Sequence, residues 1–490
     1  MRPRGSLEPA PPFHDPAQSA AAVWDVWLSA VAGTLQIRHS AQLRLRELLA
    51  WARERSPFYR NRYRGIRVHE ARLEELPVLT KSELMAHFDA VVTDPDISAA
   101  RVRDFVADPR RAGHPFLGRY AIWSSSGTTG EPGLFLHDGR ALAVYEALHA
   151  VRFRRLTSPS QVIAAWLAAD RYALVSVTGH FAGCASVERL RLLYPWLAGQ
   201  VRIFSILEAQ AALAQQLNEY QPTLLATYPT VASLLADAQR AGQLAIHPRE
   251  IWTGGEQLTA VQKAHIADAF GCAVHDDYGA SEFLAIGWSC ERGMVHVNAD
   301  WVLLEPVDER YRTLPPGLAS HTTLLTNLAN RVQPLIRYDL GDSITWIDGA
   351  CECGSPLPAI RVEGRCDDIV ALTDAGGRAV KLLPLALTTV LEDAAGLFRF
   401  QLFQVGASAL VLRIAPEASG ADMARRSQRA LDGFLRTQGL PNVRVEVETA
   451  PLQPHSATGK LRRVVARPGP GGEQACMDAT RCPATDAADK

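Results

Sequence analysis

The chain has 490 residues, of which 47% are hydrophobic, so it is long enough to bury a large core with at least one satellite domain. Lys and Arg number 51 against 52 Asp and Glu, a balance that excludes a global attraction to nucleic acid or to anionic membranes. Eight cysteines in a chain of this length predict reduced thiols rather than a disulfide scaffold. The apolar stretches fall short of the roughly 18 to 20 residues that span a bilayer, and no secretory signal follows Arg2 and Arg4. We therefore expect a cytoplasmic protein.

The elements predicted along the chain indicate an α/β core. Residues 1–20 are predicted to be disordered, and the pattern of residues 21–55 predicts one or two amphipathic helices. From residue 121, short apolar strands alternate with helices, which is typical of a mainly parallel sheet covered on both faces. Strands are predicted at 161–167, 223–228, 250–253 and 274–278, and helices at 208–220, 230–241 and 259–270.

After Met294 the pattern changes to closely spaced strands, which predicts an antiparallel layer or a small barrel. The core domain is predicted to extend over residues 21–366, followed by a small α+β domain at 367–467 and a disordered tail at 468–490. The late strands of the core are predicted at 295–297, 302–305, 322–325, 344–347 and 359–362.

The segment SSSGTTGEPG, residues 124–133, carries the most informative chemistry. Hydroxyls and glycines in sequence bring backbone N–H groups and side-chain donors around a triphosphate, because glycine permits close approach. By itself the segment is also compatible with a flexible Ser/Gly linker. The residues predicted to surround the phosphates are Ser125, Ser126, Gly127, Thr128, Thr129 and Gly130.

A resemblance to a known family supports the phosphate-binding interpretation of this segment. The opening of phenylacetate-CoA ligases is similar to residues 56–84, which include SPFYRNRY and LEELPVLTKSEL. Over roughly residues 56–464 the chain is similar to the adenylate-forming superfamily, which includes the acyl-CoA synthetases. The resemblance implies a large N-terminal domain of parallel sheets, helices and a small β-barrel-like layer, with a small mobile C-terminal domain. It also implies ATP, Mg²⁺ and coenzyme A as ligands, and it allows a homodimer, since members of this branch are often dimers.

Two further motifs resemble the family's adenine site. TGGEQLT begins at Thr253 on a predicted strand end, and the resemblance implies that Gly254, Gly255 and Glu256 border the adenine. In DDYGASEF the resemblance places Tyr278 against the adenine ring, counts Gly279 among the nucleotide-binding residues and places the adenine amino group near Asp277. Taken alone, Tyr278 would be an ordinary turn aromatic.

The same motif ends in Glu282, which the resemblance assigns to Mg²⁺, a cation that prefers hard oxygen donors. RYDLGD resembles the segment whose last residue, Asp342, accepts the ribose hydroxyls. In GRCDDIV, Arg365 would meet the ribose or phosphate, and Asp367 would be the hinge between domains. Each of these charged residues alone would also suit a solvated surface pair.

PHSATGKLRRV resembles the C-terminal pattern that ends in an essential lysine, here Lys460. A lysine on a glycine-hinged loop neutralises charge that forms at the α-phosphate. Lys460, Glu282 and Thr128 are therefore the predicted catalytic residues. Two positions depart from the family: Glu131 stands where many relatives carry Lys, and the predicted acyl-pocket stretch, residues 176–185, contains His180 and Phe181.

Three cysteines and one histidine predict a separate structural metal site. CECGSP supplies Cys351 and Cys353, and CERGMVHV supplies Cys290 and His296, a set of three thiolates and one imidazole that suits tetrahedral structural zinc. Buried free thiols are the alternative.

The sequence thus predicts activation of an aromatic or arylacetic acid to an acyl adenylate, followed by transfer to coenzyme A. Transfer to an amine or to a carrier-protein thiol stays open, as does a nucleotide-binding regulator without turnover.

Overall fold

The structure is a computed structural model of the full chain. It describes residues 15–67, 71–125, 132–153, 170–178, 181, 183–197, 199–256, 258–362, 370–453 and 463–466. The chain divides into two compact units, Met1–Cys366 and Asp367–Lys490, and each is described by itself. Among the described residues, no helix is both long and apolar enough to cross a membrane.

Fourteen strands of the first unit lie within the described residues, and they form a hairpin, a three-stranded sheet and a nine-stranded sheet. The strands are β1 Ala121–Ser125, β2 Gly133–His137, β3 Tyr172–Ser176, β4 Val201–Ser205, β5 Leu224–Thr227, β6 Glu250–Gly254, β7 Ala273–Ala280, β8 Phe283–Ser289, β9 Val295–Val297, β10 Val302–Val307, β11 Thr322–Asn327, β12 Tyr338–Asp339, β13 Ile344–Trp346 and β14 Ala359–Val362.

The nine-stranded sheet has the order β13-β14-β9-β8-β7-β6-β5-β3-β4. The pairs among β4, β3, β5, β6 and β7 are parallel, and those from β7 to β13 are antiparallel. Val175, Leu225 and Ile251 in the parallel strands are completely buried, as expected of a sheet covered on both faces. The parallel sheet predicted from the alternating pattern is therefore confirmed.

The first helix begins within the segment predicted to be disordered, since it starts at Pro16 with Asp15 as its N-cap. Local signals fix other ends, as at Ala260–Phe270, where Thr259 and Gln262 form a capping box and Gly271 follows in the left-handed conformation. The α-helices are Pro16–Ala32, Thr34–Arg55, Pro57–Arg62, Lys81–Ala86, Phe88–Val91, Ala99–Val106, Gly139–Leu148, Gly183–Leu193, Gln210–Tyr220, Pro229–Arg240 and Ala260–Phe270, and His149–Phe153 is a π-helical turn.

The strands predicted after Met294 do not all form one layer. β9, β13 and β14 extend the nine-stranded sheet, whereas β10, β11 and β12 form a separate antiparallel sheet. Close backbone approach allows the extension, because a Cβ on Gly287 would lie 2.7 Å from the carbonyl oxygen of His296 on β9. The strand predicted at 161–167 lies outside the described residues.

The second unit is an α+β unit. Its strands β15 Val370–Thr373 and β16 Ala379–Leu382 form a hairpin, and a four-stranded sheet has the order β19-β18-β17-β20. The remaining elements of this unit are β17 Phe400–Gly406, β18 Ala409–Ile414, β19 Arg444–Thr449, β20 Val464–Val465 and the helices Pro384–Ala395 and Ala421–Thr437.

Candidate functional site

The carboxyl ends of the parallel strands carry the predicted nucleotide residues. The turn after β6 packs tightly, because a Cβ on Gly254 would lie 3.1 Å from the carbonyl oxygen of Asp277 on β7. Gly255 has a φ of 77°, a conformation that favours glycine. The carboxylate of Glu256 accepts a hydrogen bond from the backbone N–H of Thr230 at 3.1 Å, at the first turn of helix Pro229–Arg240. The three predicted residues, Gly254, Gly255 and Glu256, thus form one turn at the carboxyl end of β6.

Two adjacent carboxyl groups follow on β7. Burial raises the pKa of Asp276 to about 6, against the hydrogen bond that Thr253 Oγ1 donates to its Oδ1 at 2.8 Å. Burial raises the pKa of Asp277 well above its ordinary value, and the charge of Asp276 adds to the effect. Asp277 Oδ1 is buried and has no hydrogen-bond partner in the described part of the chain. A buried acceptor of this kind is suited to an amino group of a ligand.

The motifs predicted to bind adenine and ribose meet through a side-chain hydrogen bond. The Tyr278 hydroxyl donates to Asp342 Oδ2 at 3.1 Å, although the two residues are 64 positions apart. Thr323 Oγ1 donates to the carbonyl oxygen of Asp342 at 2.8 Å and holds that segment. A Cβ on Gly279 would lie 2.3 Å from the carbonyl oxygen of Leu284, so only glycine fits beside Tyr278.

Glu282 lies next to this pair and is 6% exposed. Burial raises the pKa of its carboxyl to about 7 and the charge of Asp342 adds to this, while a Tyr338 hydrogen bond and the charge of Lys81 lower it. A desolvated carboxylate of this kind gains from a nearby cation, and its oxygens are the hard donors that Mg²⁺ prefers.

Lys81 was not among the residues predicted from the sequence. It is the first residue of helix Lys81–Ala86, which is N-capped by Thr80, and its charge acts on Glu282. The segment LTKSEL indicates a helix start, but nothing in it indicates the distance to a carboxylate 201 positions further along the chain.

The first residues of the predicted phosphate segment, Ser124 and Ser125, lie beside this group. Ser125 Oγ accepts from the backbone N–H of Gly133 at 3.3 Å across the β1–β2 hairpin. Ser281 Oγ donates to the carbonyl oxygen of Ser124 at 3.2 Å, which joins the hairpin to the turn that holds Glu282. The other predicted residues of this segment and several predicted elsewhere lie outside the described residues: Ser126, Gly127, Thr128, Thr129, Gly130, Glu131, His180, Arg365, Asp367 and Lys460.

Comparisons with known proteins bear on the family of this chain. Residues 77–310 match the family of AMP-binding enzymes. The chain is 25% identical over 375 residues to the phenylacetate-coenzyme A ligase of Thermus thermophilus, covering 73% of this chain and 75% of that one. The matched segment, residues 77–310, belongs to the family of AMP-binding enzymes. The family predicted from the motifs is therefore confirmed.

Two further proteins are similar to this chain. A 2-hydroxyisobutyryl-CoA ligase structure in complex with 2-HIB-AMP and CoA is similar in fold, with a TM-score of 0.54 and 20% identity, over 98% of this chain and 97% of that one. Protein CapK of Staphylococcus aureus is 27% identical over 135 residues, which are 26% of this chain and 28% of that one. The structural likeness supports the fold assignment.

The two charged ends of the RYDLGD segment make separate contacts. Asp342 faces Tyr278, whereas Arg337 is buried and forms an ion pair with Glu305, with Nη2 3.0 Å from Oε1. The Arg337 guanidinium also donates to the carbonyl oxygen of Leu76 at 2.6 Å, which fastens the segment before helix Lys81–Ala86 to the sheet. The arginine is thus structural.

We expect Arg337→Ala to lower the free energy of unfolding by about 3–5 kcal/mol, because it leaves the Glu305 carboxylate buried without its partner. Asp342→Asn is the matched control in the same motif, and its unfolding free energy should stay close to that of the wild type. Urea titrations of the three proteins measure the difference. Equal midpoints for Arg337→Ala and the wild type would contradict the structural role.

The cysteine cluster comes together as predicted. Ligand atoms of Cys290, His296, Cys351 and Cys353 all lie within 4.8 Å of one another. Cys353 Sγ is 3.2 Å from His296 Nε2, and Cys290 Sγ is 3.9 Å from Cys351 Sγ. His296 Nδ1 lies 3.0 Å from the carbonyl oxygen of Leu357, so Nδ1 carries the proton and the Nε2 lone pair faces the thiols. The donor set and the histidine tautomer both fit zinc.

Proposed function

We propose that this enzyme activates a carboxylic acid with ATP to an acyl adenylate and transfers the acyl group to coenzyme A, giving acyl-CoA, AMP and pyrophosphate. The observation that carries the proposal is the hydrogen bond between Tyr278 and Asp342 beside Glu282, since it joins the predicted adenine, ribose and metal contacts in one place. The Thermus thermophilus relative named as a phenylacetate-coenzyme A ligase supports the choice of acceptor.

In the first half-reaction an oxygen of the substrate carboxylate attacks the α-phosphorus of ATP, and the bond to the pyrophosphate leaving group breaks. Tyr278 and the turn Gly254 to Glu256 border the adenine. Asp277 Oδ1 accepts a hydrogen bond from the adenine amino group, and Asp342 accepts hydrogen bonds from the ribose hydroxyls. The phosphate segment and Lys460 stabilise charge on the phosphate oxygens. Glu282 would hold Mg²⁺, which neutralises phosphate charge when bound.

In the second half-reaction the thiol of coenzyme A attacks the acyl carbonyl carbon, AMP leaves, and the thiol proton passes to solvent. We propose that the second unit rotates about Asp367 between the two half-reactions, withdrawing Lys460. An amine or a carrier-protein thiol is the alternative acceptor, because the adenylation residues are indifferent to what attacks the finished acyl adenylate.

The proposed substrate is an aromatic or arylacetic acid, and the name of the Thermus thermophilus relative supports this class. Pyrophosphate release is measured with aryl, arylacetic and aliphatic acids in the presence of ATP and Mg²⁺, with and without coenzyme A. We expect release with one acid class and an acyl-CoA mass only when coenzyme A is present. Release without an acyl-CoA product would favour the alternative acceptors, and ATP binding without release would favour a nucleotide-binding regulator.

We also propose that Cys290, His296, Cys351 and Cys353 hold a structural zinc ion. These residues connect the turn after β8 with the loop before β14, two segments 61 positions apart at Cys290 and Cys351. Removing one ligand leaves three donors, too few for a closed structural site. The zinc would therefore stabilise the antiparallel end of the large sheet.

We expect the purified protein to contain about one zinc ion per chain, and Cys353→Ser to lose it and to melt at a lower temperature. Cys272→Ser is the matched control, because Cys272 is a free thiol outside the cluster. Elemental analysis and thermal melts of the three proteins provide the comparison. Zinc-free wild-type protein that melts at the same temperature after zinc is added would favour free thiols.

A further inference from the structure

Two hydroxyl groups meet at the carboxyl ends of neighbouring strands. Ser176 is the last residue of β3, Tyr228 follows β5, and their side-chain oxygens are 2.9 Å apart. The strand ends are held in register, since Thr227 Oγ1 donates to the carbonyl oxygen of Val175 at 2.8 Å. Ser176 is 2% exposed and Tyr228 is partly exposed, so the pair is accessible from the side of Tyr228.

The pair adjoins the nucleotide residues. A Cβ on Gly255 would lie 3.2 Å from Cε1 of Tyr228, so the tyrosine ring packs directly against the turn that borders the adenine. On the other side, a Cβ on Gly183, at the start of helix Gly183–Leu193, would lie 3.8 Å from Ser176 Oγ. The acid that attacks the α-phosphate has to lie beside the nucleotide, and this corner is the adjoining part of the strand-end crevice.

The pair has unused hydrogen-bonding capacity. Each hydroxyl offers one donor hydrogen and two lone pairs, and their mutual bond consumes one hydrogen and one lone pair. Within the described residues neither side-chain oxygen has a second hydrogen-bond partner, so one O–H group and further lone pairs are available to another partner. Burial raises the pKa of Tyr228 to about 12, which keeps the phenol protonated and able to donate.

We propose that Ser176 and Tyr228 select acids that carry a hydroxyl group remote from the carboxylate, such as a ring hydroxyl on an aromatic acid. The inference rests on the proposed acid activation and adds the specificity of that site. A substrate hydroxyl accepts from the unused O–H and donates to a lone pair of the pair. An acid without this hydroxyl leaves the O–H unpaired in a site shielded from water, which lowers its transition-state binding.

The test measures kcat/KM for acid-dependent pyrophosphate release with benzoic and phenylacetic acids and with their ring-hydroxylated counterparts. For the wild type we expect kcat/KM to be at least about tenfold higher for a hydroxylated acid than for its parent acid. In Tyr228→Phe this ratio should fall by about tenfold, mainly through loss with the hydroxylated acid, while KM for ATP stays unchanged. Ser176→Ala should reduce the ratio in the same direction.

Tyr220→Phe is the matched control, because the Tyr220 hydroxyl donates to the backbone carbonyl of Gln200 at 2.7 Å, at the amino ends of β3 and β4 and so on the opposite side of the sheet from the carboxyl ends. Its ratio should equal that of the wild type. Equal kcat/KM for hydroxylated and parent acids in the wild type, or equal losses with both acids in Tyr228→Phe, would overturn the inference and leave the proposed adenylation intact. Absence of release with every acid would overturn both.

Discussion

Glu282→Gln is expected to lower the rate of acid-dependent pyrophosphate release by about 10²–10³-fold, measured at saturating ATP and Mg²⁺. The substitution preserves the shape of the side chain and removes the charge that would hold the metal. Glu282 is nearly completely buried, and the neighbouring carboxylate of Asp342 is already engaged by the Tyr278 hydroxyl, so Asp342 cannot replace Glu282 without rearranging the site. The Mg²⁺ concentration that gives half-maximal activity should rise as well.

Loss of folding does not explain such a result. Burial raises the folded-state pKa of Glu282 to about 7, above its ordinary value of 4.5. In the unliganded protein, ionisation of Glu282 therefore lowers the free energy of unfolding as the pH rises from about 4.5 to about 7, and the full loss is present above pH 7. Glu282→Gln should therefore melt at or above the wild-type temperature at pH 8. Glu47→Gln, an exposed carboxylate paired with Arg331, is the activity control. Wild-type rates in Glu282→Gln at every Mg²⁺ concentration would contradict the assignment.

Lys460→Ala is expected to slow adenylation by about 10³-fold or more, because it removes the cation proposed to neutralise the α-phosphate as the acid attacks. The second half-reaction should change far less. Acyl adenylate supplied together with coenzyme A should still give acyl-CoA within a few fold of the wild-type rate, since Lys460 is proposed to have withdrawn by then. Arg462→Ala, two residues along the same segment, is the matched control for a general loss of positive charge.

Equal losses in both half-reactions would favour a structural role for Lys460. Unchanged pyrophosphate release in the variant would remove it from the catalytic residues altogether.

Much of the large sheet follows from local signals. The predicted strands at 250–253 and 274–278 match β6 and β7, and the common edge of parallel strands predicts that their carboxyl ends converge. The strands β3 and β4 were missed, because YALVS and VRIFS are five residues long and only partly apolar. Short runs of this kind acquire their structure from the neighbours that pair with them.

The contacts that complete the site depend on sheet order rather than on motif spacing. Ser176 meets Tyr228 because β3 lies beside β5, and that order cannot be obtained from spacing alone. Similarly, pairing of Ala359 on β14 with His296 on β9 places the cysteine loop against the histidine. Sequence patterns predicted which residues carry the chemistry, and the tertiary pairing decided which of them touch.

The central claim is that the acid becomes an acyl adenylate, and isotope transfer tests it most directly. An acid labelled with ¹⁸O in its carboxylate is turned over with ATP, Mg²⁺ and coenzyme A, and the products are examined by mass spectrometry. Attack of the carboxylate on the α-phosphorus, followed by release of AMP from the acyl carbon, predicts one ¹⁸O atom in AMP and none in pyrophosphate. Label in inorganic phosphate, with ADP in place of AMP, would indicate an acyl phosphate instead and would contradict the account.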